Sequence, residues 1–283
     1  MELIQQMALV SEVSEISPSQ LSRAGAALQK QLTRDFGPVW GVKATIDAFA
    51  RLDDVPLTYW PILIQEDIHM NAGGVHLDNS GQPFALVRYS NQWTLTASHE
   101  MLEMSADPFG NRLIQSQSVK PDQGRVEYLV EVCDPSESAE FGYHVNGMLV
   151  SDFYTPHFFD PVTNISVRYS FTGAINEPRR ILRGGYLSWH DPPSNEWWQQ
   201  LWLSGTKPTS KNLGPLDASQ GSLRSQIDRL TPVPEMYDDL PEQSDVLTAT
   251  TQASEAIDES TSARAEQLRA RIAEIKKAAT ETT

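Results

Sequence analysis

Leu21, Ala24, Leu28 and Leu32 recur three and four residues apart, the spacing that gathers apolar side chains on one face of a helix. Ser17-Pro18 opens that run as an N-cap followed by proline at the first helical position. Gln20 stands where a capping box takes Glu or Gln, and Phe36-Gly37-Pro38 closes the helix. Residues 42–52 (VKATIDAFARL), 57–67 (LTYWPILIQED) and 84–90 (FALVRYS) are β-branched, aromatic and apolar, and predict strands. HLDNSGQP, before the last of these, predicts a turn; its Asp78-Asn79-Ser80-Gly81 lacks the downstream ligands of a calcium loop. Residues 94–106 have helical composition, and Asp107-Pro108 ends them, because the residue before proline avoids the α region.

The second half reads as richer in strands. Residues 125–134 (RVEYLVEVCD) and 164–173 (NISVRYSFTG) predict strands, and Asn146-Gly147 predicts a hairpin. NEWWQQLWL, 195–203, predicts a short aromatic helix. Trp189, Trp197, Trp198 and Trp202 lie close together in sequence, which suggests a packed aromatic subcore. Near the C-terminus, Leu268, Ile272, Ile275 and Ala279 form a narrow apolar stripe on a last helix.

The expected fold is α/β (α+β): a mixed sheet with an active-site helix, a β-rich second half and a C-terminal helix. The expected divisions are an N-terminal extension at 1–14, a catalytic domain at 15–228, an acidic disordered linker at 229–254, and a C-terminal amphipathic interaction helix at 255–283. With 283 residues, 40% of them hydrophobic, the chain has ample material for a core. Its net charge of −15 disfavours nucleic acid and anionic membrane surfaces as partners. Much of that charge comes from Glu235, Asp238, Asp239, Glu242, Asp245, Glu255, Asp258 and Glu259, a stretch without Lys or Arg, which marks a linker. Cys133 is the sole cysteine, so neither an internal disulfide nor a multi-cysteine zinc knuckle is available. The N-terminus has no basic, apolar signal-peptide pattern and no run long enough to span a membrane, so a cytoplasmic location is expected, signal-independent export aside.

The candidate chemistry lies in His99-Glu100-Met101-Leu102-Glu103. A helix sets residues i and i+4 on one face ~6 Å apart, so His99 and Glu103 can reach one ion. Imidazole and carboxylate are zinc donors. Glu100, rotated ~100° from His99, is placed to act as base toward water activated by the metal. Asp107 lies ~12 Å along a straight helix from His99, too far to share the ion, and is expected in a supporting or capping role. Glu131 and Asp134, on the following strand, are the better candidates for a third ligand; His144, His157 and His190 are further options.

SHEMLEMSADPFGN followed by EVCDP resembles a group of zincin-like proteins with S-H-E-x-x-E-x-x-x-D-P and then an E-x-x-D segment beside a cysteine. The group includes the plant phosphate-induced (exordium-like) proteins and uncharacterised bacterial and phage-associated relatives. The resemblance covers roughly residues 85–135, and here the cysteine precedes Asp134 instead of following it. It implies a single zinc ion carried by His99, Glu103 and a carboxylate at 131–134, with Glu100 as base. It also implies a peptide or protein substrate paired along the FALVRYS strand as an exposed edge. A catalytically silent binding or structural module, docking on a larger assembly through its C-terminal helix, is the alternative expectation.

Overall fold

The computed structural model describes residues 4–70, 72–79 and 81–231, and near the C-terminus 266, 268–270, 272–273 and 277. It is a mixed α/β structure with several sheets and few helices among these residues. Strand β1 (Gln5–Ser11) leads into helix α1 (Pro18–Lys30), a wider π-helical segment (Gln31–Phe36) and the short α2 (Gly37–Trp40). Strands β2 (Ala44–Phe49), β3 (Trp60–Gln65), β4 (Gly74–Asn79) and β5 (Gln82–Arg88) follow, then helix α3 (Trp93–Ala106). After it come β6 (Leu113–Gln117), β7 (Arg125–Leu129), the hairpin β8 (Tyr143–Val145) and β9 (Met148–Val150), and strands β10 (Tyr186–Asp191), β11 (Glu196–Leu201) and β12 (Thr209–Gly214). Helix α4 (Leu223–Leu230) closes this part of the chain.

The first sheet has the order β2-β1-β3-β5-β4. Its pairs are parallel except β4 with β5. Alternation in β1 sorts its side chains: Met7 and Leu9 join the core beneath α1 and α3, while Ala8 and Val10 face the opposite side. The first core runs on to Val126, Tyr128 and Trp189 of the second sheet, β12-β11-β10-β7-β6, whose pairs are all antiparallel. The α1 cap forms as its residues predict. Gln20 N–H reaches Ser17 Oγ at 3.3 Å, and Ser17 N–H reaches Gln20 Oε1 at 2.9 Å. Asn146 and Gly147 take φ of 51° and 80°, the left-handed pair that a two-residue hairpin requires.

Several expectations fail. The expected extension at 1–14 contains β1, which lies inside the first sheet between β2 and β3. Its apolar run is short and continuous because it is buried on both faces, so it shows no amphipathic period. FALVRYS is not an edge, since β5 sits between β3 and β4; the edge on that side is β4, which runs into the predicted turn. The expected helix at 195–203 is strand β11, in which Trp197, Gln199 and Leu201 alternate inward. Residues 164–173 form no strand, only an isolated bridge from Tyr154 to Ser170. The acidic segment 232–254 lies outside the described residues. Of the C-terminal stripe, Leu268 and Ile272 are described, and both pack against the second face of the first sheet with Ala8, Val10 and Leu63. Arg269 pairs with Asp53 at 2.5 Å. No helix among the described residues is long and apolar enough to cross a membrane.

Leu9, fully buried in the central strand, tests this placement. Leu9→Ala is expected to destabilise the protein by ~2–5 kcal/mol in urea unfolding, whereas Ile4→Ala, at an exposed position just outside β1, changes stability by less than ~0.5 kcal/mol. Equal small effects would remove β1 from the core.

Candidate metal centre

Helix α3 is not an amphipathic surface helix. From Leu95 to Ala106 every residue is buried, including His99, Glu100 and Glu103. The serine before the motif histidine anchors it. Ser98 Oγ donates to Gln31 Oε1 at 2.7 Å and accepts from Ser151 N–H at 3.0 Å, while Gln31 Nε2 donates to Ser151 O at 2.9 Å. The π segment, α3 and the end of β9 are thereby locked together, and His99 is held one residue from that lock. Cys133 pins the other side: its N–H donates to Glu103 Oε1 at 3.2 Å and its thiol to His99 O at 3.8 Å.

His99, Glu103 and Asp134 converge. His99 Nε2 lies 3.3 Å from Glu103 Oε1 and 3.0 Å from Asp134 Oδ1. Two donors each ~2.1 Å from an ion at a tetrahedral angle lie ~3.4 Å apart, so these separations suit a shared divalent cation. The donor chemistry fits as well: one imidazole and two carboxylates, all buried, with neither Asp134 oxygen in a hydrogen bond. Glu131, the other downstream candidate, is buried but belongs to no such group; its Oε1 faces Arg224 Nε at 3.2 Å. Asp107 closes the helix, its Oδ2 accepting from Arg112 N–H at 2.7 Å. His144 is exposed on the hairpin, while His157 and His190 pair with Asp160 and Glu127 away from the centre.

Two members of the centre were not legible in the sequence. His76 arrives from edge strand β4, with Nδ1 at 3.6 Å from Glu100 Oε2 and 3.8 Å from Glu103 Oε2. Arg224 arrives from α4. Its Nη1 bonds Glu103 Oε2 and lies 3.7 Å from Asp134 Oδ2, and its Nε lies 2.9 Å from Asp228 Oδ1. The DPFGN turn is the seat for α4: Gly110 O accepts Arg224 N–H, and Asn111 Oδ1 accepts Leu223 N–H, both at 3.0 Å. Gly110 has φ 61°, and a Cβ there would lie 2.7 Å from the Arg224 Cβ. Ile227 secures the helix against Leu129 and Trp197.

These neighbours set the charges. Burial opposes a charge on His99, but Glu103, Cys133 and Asp134 outweigh it and hold the imidazole well above its usual range. Burial also works against Glu103, yet Arg224 and His99 keep it well below the ordinary carboxylate range. Glu131 goes the other way, pushed well up by burial and then by Asp134. Burial and Glu103 raise Asp134. Burial and Asp134 lift Glu137 to about 8, and burial lifts Asp228 to about 6 against the pull of Arg224.

The sign of the pH dependence follows. The folded, chelated protein keeps protons that the unfolded chain has released. Stability therefore falls as pH rises, from 3.8 to about 6 for Asp228 and from 4.5 to about 8 for Glu137. His99 adds to the loss, since its contribution is whole below 6.5 and goes as pH climbs through its raised value. Glu103 has the opposite sign, but its contribution is complete above 4.5 and does not bend the curve here. Thermal unfolding with chelator present should drop by roughly 5–10 °C between pH 5 and pH 8. A midpoint that rises over this interval would contradict the assigned charges.

No protein-family model matches the chain, and neither a curated protein nor a solved structure matches it significantly. The zincin-type resemblance stands on the motif residues alone.

Proposed function

We propose that the protein is a metal-dependent hydrolase of zincin-like architecture that acts on peptide bonds, with His99, Glu103 and Asp134 as the ligands of a zinc ion. The observation that carries this reading is the convergence of those donors beside Glu100, whose Oε2 is buried and makes no hydrogen bond. A parallel sheet with an antiparallel edge strand against the motif helix supports the zincin-like assignment. A bound divalent ion supplies Lewis acidity, polarising a carbonyl and acidifying water. Glu100 accepts the proton of the attacking water and returns it to the leaving amine nitrogen. Strand β4 pairs only with β5 among the described residues, so its outer edge offers main-chain groups to an extended peptide.

One observation favours a second reading, a metal-stapled binding module without activity. Glu100 is 2% exposed and Asp134 and Glu103 are 0% exposed, and structural metal sites are closed where catalytic ones keep an open position. Hydrolysis requires α4, which delivers Arg224 over Glu103, to give way to substrate.

Elemental analysis of protein purified without chelator, joined to a peptide-library assay, separates the readings. Metal with cleavage supports the hydrolase; metal without cleavage supports the module. His99→Ala is expected to lose the ion that it shares with Glu103 and Asp134. Glu100→Gln is expected to keep that ion and the fold while hydrolysis falls by at least ~100-fold. Undiminished cleavage in Glu100→Gln would remove Glu100 from the chemistry.

A further inference from the structure

We infer that the centre holds a second divalent cation, bound by His76, Glu100 and Glu103, with Glu103 bridging the two ions. The inference rests on the reading of the centre as a metal site, and not on the peptidase reading: with the second ion in place Glu100 is a ligand, and the base role given to it above belongs to the single-ion centre.

The ring of His76 carries the first part of the case. It is 2% exposed, and its Nε2 lies 3.1 Å from the carbonyl oxygen of Asp107. A carbonyl only accepts, so Nε2 carries the hydrogen. In the deprotonated form that a metal ion requires, Nδ1 is then a bare lone pair, and it makes no hydrogen bond. What it faces are acceptors too: Glu100 Oε2 at 3.6 Å and Glu103 Oε2 at 3.8 Å. These distances are too long for a proton shared between nitrogen and oxygen. They are close to the ~3.4 Å expected between two donors of one ion. A backbone carbonyl fixing the outer nitrogen of an imidazole is also the usual support for a metal-ligating histidine.

Glu103 supplies the second part. Its two oxygens serve different imidazoles, Oε1 facing His99 Nε2 and Oε2 facing His76 Nδ1. The triads His99–Glu103–Asp134 and His76–Glu100–Glu103 therefore share one carboxylate, and all their members are buried. A bidentate bridge of this kind holds two ions ~3.5–4 Å apart. Gly74, on the same face of β4 as His76, makes room for the arrangement. A Cβ there would stand 2.7 Å from both Glu100 Oε1 and Thr96 Cγ2, so a larger residue would force the Glu100 and Thr96 side chains to shift. Arg224 Nη1 meets the same Glu103 Oε2 and gives that oxygen a positive partner when no ion does. An N,O donor set of this type suits Zn²⁺, Mn²⁺, Fe²⁺ or Co²⁺.

The test uses the full chain, stripped with chelator, dialysed and titrated with Mn²⁺ while free Mn²⁺ is followed by electron paramagnetic resonance. The expected result is two ions per chain and, at saturation, the broadened spectrum of a spin-coupled pair. His76→Ala should bind one ion and show an uncoupled spectrum. Glu100→Gln, which keeps the size of the side chain, should do the same and serves if the His76 variant fails to fold. One ion per chain in the unsubstituted protein, or two in both variants, overturns the second site and leaves the single-ion hydrolase standing. No bound ion in the unsubstituted protein overturns both.

Discussion

The arrangement turns on a problem of charge. Glu103, Glu131, Asp134, Glu137 and Asp228 are drawn together around the guanidinium of Arg224, with Glu100 close by beside His76. Removing one carboxylate from water without compensation costs several kcal/mol. The protein meets this in three ways. Arg224 neutralises Glu103, the two histidines sit among the acids, and Glu131 and Glu137 retain protons at values where a solvated carboxyl would be ionised. A divalent cation would meet it more directly, replacing protons with a charge that each donor can approach to ~2.1 Å.

Much of the remaining structure keeps those groups in register. Ser98, Gln31 and Ser151 tie α3 to the π segment and to the chain leaving β9. Cys133 bonds both His99 and Glu103 through its thiol and backbone, so the cysteine beside the E-x-x-D step is a splint. Its own thiol is pushed well up by burial, which suits a structural donor better than a nucleophile. Gly110 and Asn111 receive the start of α4, and Ile227, one helical turn from Arg224, holds that helix to the second sheet. The polar turn after the motif helix is thus a docking surface for another part of the chain.

What the sequence revealed, and what it hid, follows from how far apart the partners lie. The motif helix was legible because His99, Glu100 and Glu103 are separated by fixed helical geometry, whereas Asp134 could be named only together with Glu131, because the strand expected to carry both ends at Leu129, and Asp134 opens a 3-10 turn beyond it. The α1 cap and the Asn146-Gly147 hairpin were legible for the same reason, being local. His76 was hidden in VHLDNSG, whose polar residues read as a turn although the chain pairs with β5. Arg224 was hidden because an Arg four residues before an Asp on a short helix normally describes a solvated face. Nothing local marks it as buried against Glu103, 121 residues away. In β11, two adjacent tryptophans masked an alternation that the sheet makes plain: Trp197 packs with Leu129 and Ile227, while Trp198 turns to the other face and lies half-buried against the main core, with Lys120 Nζ 3.9 Å from its ring centroid.

The closure of the centre gives α4 its significance. If α4 were only packing, an apolar residue at 224 would serve, and the acids beneath would have to be fewer or neutral. The long cation instead makes the cover dependent on the charge below it: the more positive charge the centre gains, the less Arg224 is needed there. A bound cation would therefore compete with Arg224 for Glu103 Oε2 and would oppose the seating of α4.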